Sequence, residues 1–326
     1  MRLPDVLHLA LEEILSSVSP KDLKGARELL SHEYRMGKSS SQSFRDSERM
    51  LAYLATRLPA TFGACASVFA AIRQRAPLFV CRSLLDLGAG PGTASWAALE
   101  VFPELSMLHL VERESMAIEQ GQMLSRKSGM AAWESAKWHQ ASFESLPETP
   151  AVDMAALSYA YGELPESLQQ RLIDQLWERK IPIVAVIEPG TPKGFERIRA
   201  LRASVIDRGA AIVAPCPHRA ACPMPANDWC HFSARIERTK LHRQLKEGTL
   251  GYEVEKFSYV VYAHPSMDIA CLPIEGRVVR HPHKGSGHVR FSLCTKDGTL
   301  RDEMVTRSNK SQYRQARDLE WGDVWE

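Results

Sequence analysis

Apolar and polar positions change rhythm twice along this chain. From residue 1 to about 76 the apolar residues recur at helical spacing: Val6 to Leu15, a stretch from Leu23 to Leu30 announced by Ser19-Pro20, then Ser47 to Arg57 and Pro59 to Arg73. From Ser83 to about Pro265 short apolar runs alternate with helical segments, the pattern of a parallel sheet covered by helices. Strands are predicted at Ser83 to Leu87, Met107 to Glu112, Met154 to Ser158, Ile183 to Ile187, Ala211 to Val213 and Ser258 to Tyr262. Helices are predicted to start near Thr93, Ser115, Glu166 and Lys193. Beyond Pro265 the helical period disappears, and alternating short strands around a Lys296-Asp297-Gly298 turn predict a small β unit. The fold class expected is α/β. A helical region covers 1–76, a Rossmann-like domain covers 77–265 with a cysteine-rich insertion at about 214–250, and a basic β unit covers 266–326.

Composition narrows the class. At 326 residues, with 44% hydrophobic and 25% charged positions, the chain has the make-up of a folded globular protein. The longest weakly polar run, Thr61 to Ile72, is far short of the ~20 residues that cross a bilayer, so no membrane partner is expected. Asp5, Glu12 and Glu13 interrupt the apolar N-terminal stretch, which reads as a helix rather than an export signal and predicts a cytoplasmic protein. A monomer is expected. Seven cysteines without an export signal argue against a disulfide framework and for attention to their spacing.

Leu84-Leu85-Asp86-Leu87-Gly88-Ala89-Gly90-Pro91-Gly92-Thr93 runs from a strand through a sharp glycine turn into a helix. Glycines let a ligand approach the backbone, and the helix start offers unpaired N–H groups that suit an anion. A dinucleotide fingerprint wants Gly or Ala where Thr93 stands, which disfavours NAD. Asp86, Gly88, Ala89, Gly90 and Gly92 instead match the D-x-G-x-G-x-G turn of S-adenosylmethionine methyltransferases. Glu112, at the end of the next strand, is placed to accept both ribose hydroxyls. Ser142 and Phe143 are expected to border the adenine, and Leu157 to Glu163, Ser158 and Tyr159 among them, to form the cleft floor. Ser158-Tyr-Ala-Tyr-Gly-Glu163 replaces the Asn/Asp-Pro-Pro-aromatic motif of amino-directed nucleic-acid enzymes, and no catalytic residue can be named. Transfer from a sulfonium is an in-line displacement that positioning alone can accelerate, so a weak signature does not exclude an enzyme. Gly37-Lys38-Ser39-Ser40 lacks the upstream glycine and strand of a nucleotide loop and reads as a polar loop.

Cys216, Cys222 and Cys230 lie within fifteen residues interrupted by prolines, an irregular backbone on which thiolates can converge. A fourth ligand must come from elsewhere; Val289, Phe291 and Leu293 alternate onto one face and leave Cys294 on the other with Arg290 and Ser292, so packing alone does not explain Cys294. Cys65, Cys81 and Cys271 read as core. The wide spacing favours an iron-sulfur cluster, while zinc remains the alternative, with His218 or His231 as a further ligand.

Six motifs carry a resemblance to a known family, the methyltransferase-like assembly factors of the small ribosomal subunit. They are Gly88-Ala-Gly-Pro-Gly-Thr93, Glu188-Pro-Gly-Thr-Pro-Lys-Gly-Phe195, Cys216 to Phe232, Phe257-Ser-Tyr-Val-Val-Tyr262, Leu293-Cys-Thr-Lys-Asp-Gly298 and Trp321-Gly-Asp-Val-Trp325. The resemblance implies a Rossmann-like methyltransferase domain that binds S-adenosylmethionine and a [4Fe-4S] cluster on Cys216, Cys222, Cys230 and Cys294. It implies partnership with the small ribosomal subunit and its rRNA, and an activity that is either RNA methylation or cofactor-dependent chaperoning. A zinc-stabilised methyltransferase for a small molecule or protein is the weaker alternative.

Charge fits an RNA partner. The formal net charge is only +2, yet Cys216 to Glu247 and Arg277 to Arg317 are strongly basic, leaving the remainder acidic. Arg235, Arg238, Lys240, Arg243 and Lys246, expected on a helix after the cysteines, and Arg277, Arg280, Lys284 and Arg290 in the β unit are the candidate phosphate contacts.

Overall fold

A computed structural model describes residues 1–16, 18–19, 23, 25–26, 28–29, 46–238, 243 and 250–326. The chain forms two compact units, one of residues 1–70, 80–187 and 234–255, the other of residues 71–79, 188–233 and 256–326.

The first unit opens with helices α1 (Asp5–Leu15), α2 (Ser47–Thr56) and α3 (Leu58–Arg75), the last of which runs on past residue 70. Asp46 caps α2 by accepting from the Arg49 N–H at 2.9 Å. There follow β1 (Ser83–Leu87), α4 (Thr93–Val101), β2 (Met107–Glu112), α5 (Ser115–Ser128), α6 (Ala131–Glu134), β3 (Lys137–Gln140), β4 (Met154–Ser158), α7 (Glu166–Glu178) and β5 (Ile183–Pro189). Strands pair in the order β3-β2-β1-β4-β5, all parallel. All of β1 is buried, as a central parallel strand covered on both faces requires. Burying each of Leu84, Leu87 and Leu157 contributes about 1.5–3 kcal/mol before entropy is counted. The order reverses between β1 and β4, and such a switch point opens a crevice at the carboxyl ends of the strands. This Rossmann-like arrangement brings the turn after β1 beside the residues that follow β4.

The second unit contains α8 (Pro192–Asp207), β6 (Ala211–Ala214), β9 (Gly276–Val278), β10 (His283–Lys284), β11 (His288–Thr295), β12 (Leu300–Thr306), α9 (Lys310–Asp318) and β13 (Val324–Trp325). β7 (Phe232–Glu237) and β8 (Tyr252–Ala263) have residues in both units. Thr191 caps α8 through Oγ1, which accepts from the Gly194 N–H at 3.1 Å. A Cβ on Gly194 would overlap the Pro189 carbonyl oxygen, and one on Gly190 would stand 2.7 Å from the Phe257 nitrogen, so the glycines of the Glu188–Phe195 motif are set by backbone approach. The C-terminal strands form a sheet in the order β10-β11-β9-β13, with β12 on β11. Val289, Phe291 and Leu293 from β11 join Val278, Val305 and Trp325 in its core, as the alternation predicts. Gly298, at φ +82°, turns β11 into β12.

Four sequence expectations need correction. The helical period does return beyond Pro265: α9 is capped by Asn309 and turns Ala316 inward with Tyr313 packed beside it, too few apolar positions to register as a period. Residues 232–237, including Arg235, form a strand with alternating burial rather than a helix, although Arg243 is helical and exposed. β3 was not anticipated, because Lys137-Trp-His-Gln140 is an edge strand with no apolar run. Cys271 is half-buried rather than core, whereas Cys65 and Cys81 are fully buried. Lys240, Lys246 and Gly37 to Ser40 lie outside the described residues, as does much of the stretch predicted helical from Leu23 to Leu30.

Candidate functional site

In the first unit a cavity opens at the switch point. Asp86, Gly88, Ala89, Gly90, Glu112, Ser142, Phe143, Ser158 and Tyr159 line it, nine of the ten residues expected to hold a cofactor. Gly92 does not. It caps α4 at φ +82°, and a Cβ there would meet Trp133 and Leu110, so its part is to shape the turn.

The turn itself departs from an anion cradle. The N–H groups of Gly88 and Ala89 donate to the Val111 carbonyl at 2.9 and 3.1 Å, and Gly90 N–H donates to Glu112 Oε2 at 2.8 Å. The Ser95 N–H, in the first turn of α4, donates to Asp86 Oδ2 at 3.0 Å, and so does the Ser95 hydroxyl at 2.7 Å. With those donors spent internally, the turn presents two carboxylates to the cavity. Asp86 Oδ1 is buried without a hydrogen-bond partner, an orphan acceptor that costs about 1–3 kcal/mol unless a donor arrives. Burial pushes the Asp86 carboxyl up to about 6 against the bonds from Ser95, with Glu112 adding to the rise. Burial also raises Glu112, opposed by the N–H groups of Glu114, Gly90 and Arg113. Two cavity-facing carboxylates suit a positively charged ligand and oppose a diphosphate, the lining Arg113 being paired with Glu114.

Sequence reasoning missed Tyr53 and Thr61, which α2 and α3 contribute to the cavity, together with Arg113 and Glu144, whereas Glu163 belongs to the stretch expected to floor the cleft. No motif marks the first two; only the fold brings the N-terminal helices there. Tyr159 adopts φ +59°, a conformation costly for a residue with a side chain and one that points to function. Its hydroxyl donates to Glu255 Oε1 at 3.0 Å, and Arg57 grips the same carboxylate with two bonds of 3.0 and 3.1 Å.

In the second unit Cys216, Cys222, Cys230 and Cys294 all line one cavity. The loop after β6 carries the first three, and the hairpin of β11 and β12 delivers the fourth. A Cβ on Gly298 would stand 2.8 Å from Ala220 Cβ, which shows how closely hairpin and loop approach. His218 Nε2 lies 3.3 Å from Cys294 Sγ. His231 instead stacks on Trp229 and meets the edge of Trp321. Burial pushes the Cys294 thiol up to about 12, with Cys216 and Cys222 adding to the rise. Burial raises Cys230 well above its ordinary value, and Cys216, Cys294 and Cys222 add to it. Among the described residues no group of three or more His, Cys, Asp or Glu converges on a single ion. Zinc needs sulfurs about 2.3 Å from one centre, whereas a multi-iron cluster takes one thiolate at each of several irons around a wider body. Cysteine sulfur is the donor type that either group takes.

The basic candidates divide. Arg277 is 2% exposed and donates to the carbonyls of Pro215 and Gly322, which removes it from any surface. Arg280 is half-buried and paired with Asp228. Arg238 approaches Glu253 at 3.8 Å, and Lys284 pairs with Glu320. Arg235 is exposed over the Tyr252 ring at 4.3 Å, and Arg290 is exposed on β11.

A family model described as mitochondrial small ribosomal subunit Rsm22 matches residues 47–326. The human ribosome assembly protein METTL17, mitochondrial, is 28% identical over 289 residues, covering 84% of this chain and 62% of its own length. Rsm22-cox11 tandem protein 2, mitochondrial, of Schizosaccharomyces pombe is 24% identical, covering 85% of this chain and 43% of its own length. The chain thus spans about three fifths of the first relative and less than half of the second. The N-methyltransferase NodS from Bradyrhizobium japonicum WM9, solved in complex with S-adenosyl-L-homocysteine, aligns at 10% identity with a TM-score of 0.39, covering 60% of this chain and 84% of its own. The expected cytoplasmic location is overturned: the family description and both relatives' names are mitochondrial.

Proposed function

Since the chain belongs to the Rsm22 family, we propose that it binds S-adenosylmethionine in the first unit and a [4Fe-4S] cluster in the second, and acts on or with the RNA of the small ribosomal subunit during its assembly. The observation that carries the first part is the pair of cavity-facing carboxylates, Asp86 with its orphan Oδ1 and Glu112, beside a turn whose glycines admit a ligand. When bound, S-adenosylmethionine supplies an electrophilic methyl group. Asp86 would accept from the cofactor's ammonium, Glu112 would accept from the ribose through the lone pairs its backbone donors leave free, and Phe143 would cover the adenine. Cys216, Cys222, Cys230 and Cys294 would hold the cluster. Burial raises the thiols of Cys216, Cys230 and Cys294, and ligation needs thiolates, so loading is expected to release protons. The cluster's part is to tie the cysteine loop to the β11–β12 hairpin.

RNA methylation is the first reading; cofactor binding without turnover is the second. Tyr159 favours the second. It follows β4, where an acceptor would be held, yet its hydroxyl is engaged by Glu255 and that carboxylate is clamped by Arg57. Incubation of the protein with small-subunit particles and methyl-labelled cofactor separates the readings. Label appearing in RNA and vanishing in Gly90→Arg supports methylation. Co-sedimentation with the particles, sensitive to salt and without label, supports the assembly role alone. No co-sedimentation and no label would sink both.

The acids give a pH dependence. Because burial raises Asp86 to about 6, the ligand-free fold favours its protonated form, a stabilisation complete below the unfolded value of 3.8 and lost as pH rises through about 6. A cationic ligand favours the ionised form, so affinity for S-adenosylmethionine is expected to be up to about tenfold weaker at pH 5 than at pH 7. Calorimetric titrations of wild type and Asp86→Asn check this: the variant binds more weakly at pH 7 and loses most of the slope.

A further inference from the structure

Among the described residues, two arginines of the second unit are buried without an acidic partner: Arg202 lines the four-thiol cavity, and Arg277 is bonded to Pro215, which lines it. Arg202, on α8, is 4% exposed and lines that cavity. It donates to the His218 carbonyl at 2.8 Å and to the Ala220 carbonyl at 3.0 Å. Arg277, on β9, is in register with Cys294 on the neighbouring strand, and cross-strand partners share a face of the sheet. It donates to the Pro215 carbonyl at 3.0 Å. The two guanidinium groups therefore grip the backbone on either side of Cys216.

Carbonyl bonds do not neutralise charge. Among the described residues no carboxylate pairs with either guanidinium, and each keeps a buried nitrogen without a partner, Nε of Arg202 and Nη2 of Arg277. An uncompensated buried cation is strongly destabilising. The groups at hand that can become anionic are the four thiols. A resting four-iron cluster on four thiolates is a dianion. Two guanidinium cations cancel it.

We propose that Arg202 and Arg277 are the built-in counter-charge of the cluster, positioning residues that retain it and set its potential, with their unpaired N–H groups aimed at its sulfurs. The proposal rests on the cluster reading given above. Removing either cation makes a further electron harder to accept, so the reduction potential falls. Outer partners of metal sites are worth about 10–100-fold in affinity when lost.

The test uses full-length protein reconstituted anaerobically with iron and sulfide: wild type, Arg202→Gln, Arg277→Gln and the charge-retaining Arg202→Lys. Reductive titration, the rate of cluster loss to a chelator, and unfolding midpoints with and without cluster are measured. Both Gln variants are expected to show a lowered potential and cluster loss about tenfold faster or more, with Arg202→Lys near wild type in potential. Without cluster, the Gln variants are expected to be at least as stable as wild type, because they no longer bury an unpaired cation. Gln variants with wild-type potential and wild-type loss rate would overturn the proposal, and so would Gln variants that fail to fold even without cluster. If wild type takes up no iron, the cluster reading itself falls and takes this proposal with it.

Discussion

Gly88→Ala is expected to abolish binding of S-adenosylmethionine while leaving most of the fold in place. Gly88 sits at φ +69°, where an added Cβ costs about 1–2 kcal/mol. That Cβ would also stand 2.5 Å from Ala160 Cβ and 3.1 Å from the Phe143 ring, both on the cavity wall. Overpacking of this kind costs typically about 1–3 kcal/mol, so thermal or denaturant unfolding should register a loss of roughly 2–5 kcal/mol in all. The intruding methyl group occupies ligand space, and an affinity loss of about hundredfold or more follows from a penalty near 3 kcal/mol. Gly129→Ala is the control: φ is +61° but nothing lies within 4 Å, so only the backbone cost applies and cofactor affinity stays at the wild-type value. Equal affinities for Gly88→Ala and wild type would remove the cavity from consideration as the cofactor site.

Cys294→Ala carries the other large expectation. The residue is half-buried on β11, outside the apolar face made by Val289, Phe291 and Leu293, so without metal the substitution should change stability by less than about 1 kcal/mol. In reconstituted protein it should prevent stoichiometric cluster assembly. Residues 216–230 and 288–306 then lose their link, and limited proteolysis should cut both segments as fast as in chelator-treated wild type. Chelator should have no further effect on the variant. A Cys294→Ala protein that keeps full iron content and wild-type protection would show that the fourth ligand lies elsewhere.

Much of this arrangement is legible in the residues themselves. The strands at β1, β2, β4 and β5 announce themselves because central parallel strands are apolar on both faces, which no surface segment imitates. Glu112 and Asp86 are legible because the strand-turn-helix-strand grammar fixes where each side chain must end. Cys294 stands out because its neighbours at 289, 291 and 293 explain themselves by packing and it does not.

What escaped has physical reasons. Charge composition counts Arg277 among surface cations, yet the sheet turns it inward, and nothing in a lone Arg-Val-Val reveals that. Edge strand β3 has partly exposed positions throughout, so it lacks the apolar run that marks its neighbours. In β7 the period-2 burial of Phe232, Ala234 and Ile236 was masked by arginines three apart at 235 and 238. The helix-start expectation of free N–H groups is met only in part, because Asp86 itself reaches forward to accept from Ser95. Tyr53 and Thr61 reach the cavity through tertiary packing alone.

Metal analysis of the wild-type chain, purified without oxygen, bears most directly on the four cysteines that line one cavity. Roughly four irons and four acid-labile sulfides per chain are expected, falling to near zero when Cys216, Cys222, Cys230 and Cys294 are all replaced by serine. A single zinc per chain, or iron that survives the fourfold replacement, would contradict the assignment.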